Sequence, residues 1–150
     1  MPDEENSPEL GGPDLHEQIA DRLKQYDDKS SLEMVALFLG KTQILEFALK
    51  SLLIDKYGFE GEKLEKWTLG ITIGELEKQK VRGDYLSLLR RVLEIRNYCA
   101  HEILADIALV RGLIGTKGDR LSLKPLRHGA YQMEEALLVF DFLQEHDAWG

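Results

Sequence analysis

Between Ser30 and Gly58 the chain holds the stretch that most restricts its fold. From Leu32 to Tyr57, leucine, isoleucine, phenylalanine, valine and methionine recur so often that at helical spacing they cover most of the circumference. Only a narrow polar strip around Glu33, Lys41, Ser51 and Asp55 is left. Ser30 and Ser31, followed by Glu33, supply a start signal, and Gly58 supplies a stop. A helix apolar on most sides has to be surrounded, which predicts a position at the centre of a helical bundle. The longest unbroken apolar run, Met34 to Leu39, is far short of the roughly 20 residues that span a bilayer, so no membrane partner is expected.

The rest of the chain reads as helices that can cover such a core. Residues 1–13 combine prolines, glycines and acids and are expected to form a flexible tail, leaving residues 14–150 as a single domain. Leu15, Ile19 and Leu23 predict a short amphipathic helix from Asp14 to about Tyr26. A glycine-punctuated segment at 58–70 precedes a short helix from Thr72 or Ile73 to Lys80. Asp84 is placed to cap a long helix, Tyr85 to about Val110, whose stripe is Leu86, Leu89, Leu93, Ala100, Ile103, Leu104 and Ile107. Gly112, Gly115 and Gly118, then alternating Leu121 and Leu123 before Pro125, suggest a loop or small hairpin over 112–125. A last helix is expected from about Gly129 to Glu145. The sum is an all-α antiparallel bundle of four or five helices in which the two long ones, Leu32 to Tyr57 and Tyr85 to Val110, pack on each other.

Charge is unevenly spread along a chain whose net charge is −8. Residues 78–128 carry 11 basic and 5 acidic side chains, while the segments on either side are acidic. A basic middle in an acidic chain is a candidate phosphate-binding surface. The acidic N-terminus and the lone Cys99 point to a cytoplasmic protein. Gly40-Lys41-Thr42 ends like a Walker loop, but Val35 stands where that loop needs a glycine, and the tripeptide lies inside a helical pattern. Cys99 and His101 diverge by about 200° on a helix, too far for a nucleophile and its base, so Cys99 is expected to be a small buried filler. His16, His101, His128 and His146 have no metal-ligand spacing, and neither a metal nor any other cofactor is expected.

One segment gathers chemistry: Arg96-Asn97-Tyr98-Cys99-Ala100-His101. Arg96 falls within about 20° of the centre of its helix's apolar stripe, where an isolated charge would cost several kcal/mol. It therefore has to meet an anion or open onto a cleft. Glu46, beside Leu39 and Leu53 on the earlier helix, is the candidate to neutralise it. Asn97 and His101 lie one turn apart on the stripe's margin, where the amide can orient the imidazole. The Arg in the stripe, together with a Leu32 helix more apolar than a chain of this size readily covers, predicts a homodimer.

Arg96, Asn97 and His101 resemble the signature of the HEPN superfamily, helical-bundle proteins carrying an Arg, a polar residue directly after it and a His four to six residues beyond the Arg. The resemblance extends in architecture over about residues 30 to 145. It implies an RNA partner and cleavage without a metal ion, in which a ribose 2′-hydroxyl attacks the adjacent phosphate to leave a 2′,3′-cyclic phosphate. In that reading His101 acts as general base or acid, Arg96 stabilises the phosphorane, and Asn97 orients His101 or the ribose. Glu46 and Lys50 have the spacing of a Glu and Lys that contribute in some members, Lys50 as a further phosphate contact. The family commonly builds its site across a two-fold interface. Members of its antitoxin-paired group often carry a Tyr two residues after the His, where this chain has Ile103. The Arg-Asn-x-x-Ala-His sequence equally resembles the mannitol operon repressor family, which implies a helical regulator or adaptor without catalysis, in which the segment is structural. An antitoxin partner goes with the first reading and a regulatory protein partner with the second.

Overall fold

The computed structural model describes residues 10–103 and 124–150, the side chains of residues 102, 103, 124 and 125 excepted. Among them are six α-helices and no strand: α1 (Leu15–Leu23), α2 (Ser31–Tyr57), α3 (Gly61–Leu64), α4 (Leu69–Lys78), α5 (Gly83–Tyr98) and α6 (Lys124–His146). The chain is an all-α bundle. The region of the expected hairpin, 112–125, lies outside the described residues up to 123, and Lys124 and Pro125 belong to α6 rather than to a hairpin. No described helix is long and apolar enough to cross a membrane. The described end of the expected tail makes a turn at Leu10–Gly11, with Leu10 packed against the core.

Local signals account for most boundaries. At the start of α2, Ser30 Oγ accepts from the Glu33 amide at 3.2 Å, and the Glu33 carboxylate accepts from the Ser30 amide at 3.3 Å. This reciprocal pair satisfies two amides that the first turn leaves open. Gly58, at φ 76°, closes the same helix in the left-handed conformation that a side chain disfavours. Thr68 caps α4 by accepting from the Ile71 amide at 3.2 Å. Asp84 is not the cap of α5. That helix begins at Gly83, two residues before the expected Tyr85, and the Asp84 carboxylate sits in its first turn. There it accepts from the Tyr85 amide at 2.8 Å and from two nitrogens of Arg82, an arrangement that holds its carboxyl below the usual range.

α6 is the organising helix among the described elements, a role the sequence did not reveal. α5 packs chiefly on α6, which also covers α1 and α2, and α2 meets both α5 and the turn that continues it. Among the described residues α2 has 27 residues, α6 has 23, and α5 has 16 before its π-helical continuation, the rest of the expected stretch to Val110 lying outside them. α6 starts five residues before the expected Gly129 because Pro125 falls in its first turn, where a missing amide costs nothing. Close approach to α5 depends on Gly129, since a Cβ there would lie 2.4 Å from Ile95 Cγ2. The core includes Phe38, Leu45, Leu49, Tyr85, Leu88, Leu89, Met133, Val139 and Leu143.

α2 is not surrounded on all sides. Phe38, Leu45, Leu49 and Leu53 face inward, but Ile44 is 62% and Phe47 73% exposed on the opposite face. Lys41, expected in the polar strip, instead pairs with the fully buried Glu134 of α6. Thr42 donates to the Phe38 carbonyl at 2.9 Å, so the Gly40-Lys41-Thr42 tripeptide is part of helix packing.

Candidate functional site

α5 stops being α-helical at Tyr98 and continues as a π-helical turn, Cys99–Ile103. The expectation of an unbroken α-helix through this segment is thereby corrected, and residues 104–110 lie outside the described part. A π turn widens the helix and reduces the rotation per residue, so His101 comes closer to standing over Asn97 than the roughly 40° offset of an α-helix allows. His101 is exposed. Cys99, in the same turn, is fully buried, and burial pushes its thiol up to about 11, which fits a packing role.

Arg96 is exposed, although its angular position belongs to the apolar stripe. The stripe is covered through Val92, but at the level of Arg96 a cleft of about 420 Å³ opens, lined by Glu46, Trp67, Thr68, Leu69, Gly70, Leu93, Arg96 and Asn97. The guanidinium reaches this opening along its aliphatic stem. Arg96 Nη1 donates to Asn97 Oδ1 at 3.2 Å, so Asn97 engages the arginine rather than the histidine. The expected ion pair between Glu46 and Arg96 is not formed. Glu46 pairs with Lys50, one turn along α2, at 3.2 Å. No carboxylate among the described residues lies within 4.0 Å of the Arg96 guanidinium.

Of the five residues singled out from the sequence, Glu46, Arg96 and Asn97 line one cleft, while Lys50 and His101 are not part of its lining. Trp67 and the Thr68–Gly70 start of α4 were not foreseen there. A tryptophan next to a helix-capping threonine in a glycine-punctuated segment was the available signal. Trp67 is half-buried and packs edge-on against Phe59, with ring centroids 5.9 Å apart. The cleft thus offers a guanidinium and an amide for an anion beside part of an indole for a flat ligand. Elsewhere in the basic middle, Arg82, Arg90 and Lys78 are paired with Asp84, Glu77 and Glu75, whereas the charge of Arg96, which is the cation that lines the cleft, is not spent on a described carboxylate. Among the described residues no three His, Cys, Asp or Glu side chains gather as a metal ion would require. No family model, curated protein or solved structure matches the chain.

Proposed function

We propose that this is an RNA-binding protein of HEPN type that holds a phosphodiester against Arg96 and Asn97 and cleaves it with His101. The observation that carries the reading is the pairing of Arg96 and Asn97 on an open cleft, with no described carboxylate neutralising the guanidinium. Glu46 lines the same cleft, but its charge is offset by Lys50. A phosphate there accepts from the guanidinium, and a neighbouring base stacks on Trp67, a contact that tolerates any sequence. In the cleavage step the ribose 2′-oxygen forms a bond to phosphorus as His101 takes its proton. The bond to the 5′-oxygen breaks, and that oxygen leaves with a proton from solvent. The π turn that carries His101 supports the reading, because such turns are frequent at functional sites.

The second reading is RNA binding or regulation without cleavage, favoured by the fact that His101 is not part of the cleft lining. Incubation of the full chain with single-stranded RNA in EDTA decides between them. The expected products end in 2′,3′-cyclic phosphate, and His101→Ala lowers the rate by about 10²-fold or more while leaving circular dichroism unchanged. Bound but intact RNA establishes the second reading.

A further inference from the structure

α2 carries an exposed apolar face that no other described element covers. Gly40, Ile44, Phe47, Ser51 and Ile54 follow one another at steps of four and three residues, the spacing of a two-helix seam. Ile44 and Phe47 are among the most exposed large apolar residues described, and Ile54 is 39% exposed. Gly40 lies in the interior of a 27-residue helix, where glycine is unfavourable, yet a Cβ there would meet nothing within 4 Å. Packing among the described residues gives no reason for it.

We infer that this face pairs with the same face of a second copy, antiparallel, about a two-fold axis at Phe47 and Ala48. Size complementarity points to that register. It sets Ile54 over the partner's Gly40, sets Ile44 over the partner's Ser51, and brings the two Phe47 rings together at the axis. The glycine then serves the close approach of another backbone. Charge points to the same occupant. Two copies of a chain of net charge −8 repel, so their contact has to be neutral or self-complementary. In this register Glu46 of each copy lies opposite the partner's Lys50, so the Glu46–Lys50 pair within each helix becomes a four-membered cluster of alternating sign. An axis normal to the two helices also keeps both Glu46 flanks, and with them both clefts, on one side of the dimer. The pairing itself does not rest on the RNA reading.

Sedimentation of the full chain between about 1 and 200 µM tests it. The wild type is expected to populate a dimer at tens of micromolar, on the order of a modest interface. Phe47→Glu, at an exposed position, should keep its circular dichroism and weaken association at least tenfold. Gly40→Leu should raise the melting temperature of the subunit, because leucine favours helix and meets open space, and still weaken association by a similar factor. Glu46→Lys should weaken the dimer, and Glu46→Lys with Lys50→Glu should restore it. A wild type that is monomeric throughout the range, or a dimer indifferent to Phe47→Glu or Gly40→Leu, overturns the inference.

Discussion

Glu134→Ala is expected to lower the free energy of unfolding by about 3–5 kcal/mol, the usual result of stranding one member of a buried ion pair. Glu134 is fully buried on α6. Its Oε1 accepts from Lys41, from the Tyr26 hydroxyl at 2.9 Å and from Gln25 at 3.3 Å. Arg22 lies 3.7 Å from Oε2, which has no hydrogen-bond partner among the described residues. The carboxylate thereby ties α1, the turn after it and α2 to α6. Burial, with the Glu134 charge beside it, pushes the Tyr26 phenol well above its ordinary range. With alanine at 134, the Lys41 ammonium, whose side chain is only 14% exposed, loses its counter-charge, and the Tyr26 hydroxyl loses its acceptor. Lys41→Met should cost less, about 1–3 kcal/mol, because the Glu134 carboxylate keeps the Tyr26 hydroxyl, Gln25 and the nearby Arg22. Urea unfolding followed by circular dichroism measures both. A loss below about 1 kcal/mol for Glu134→Ala would mean that the cluster does not hold the helices together.

Trp149→Ala is expected to cost about 3–5 kcal/mol, as large-to-small changes of buried aromatic residues do. Although it is the penultimate residue, Trp149 is only 1% exposed. Its ring lies 5.8 Å from that of Tyr85 and 5.1 Å from that of Phe140. Its indole N–H donates to Gln144 at 3.2 Å, and its carbonyl accepts from the Arg82 amide at 2.7 Å. The C-terminus therefore closes over the junction between the end of α6 and the start of α5. Removing residues 147–150 should destabilise the fold at least as much as the substitution. Unfolding midpoints indistinguishable from wild type would show that the terminus frays without consequence.

The features legible in the sequence were those encoded by neighbours along the chain. The Ser30 capping box, the Gly58 stop and the Leu15–Ile19 periodicity are local, and the helices they define are present. Pro125 misled because a proline that breaks a helix interior is neutral in a first turn, and only the surrounding fold decides which position it occupies. Trp149 could not be placed, since Asp147-Ala148-Trp149-Gly150 offers no periodicity to read. Glu134 follows Met133 in an apolar pattern, and its partner Lys41 is 93 residues away, a pairing that spacing cannot reveal. At the site, periodicity assigned Arg96 to the correct face of α5 but not what lies above it. Whether a buried-side arginine is sealed or opens outward depends on α2 and the start of α4, and these leave a cleft. The π turn was equally invisible, because the residues of Cys99–Ile103 continue an α-helical pattern without a break.

Fluorescence anisotropy of a labelled single-stranded RNA, titrated with wild type and with Arg96→Ala over a range of salt concentrations, tests the proposed role of the cleft most directly. If the Arg96 guanidinium holds a phosphate, the wild type binds with an affinity that falls with salt, and Arg96→Ala binds about tenfold more weakly, with a salt slope reduced by about one. RNA binding that is absent in the wild type, or identical in the two proteins at every salt concentration, would contradict it.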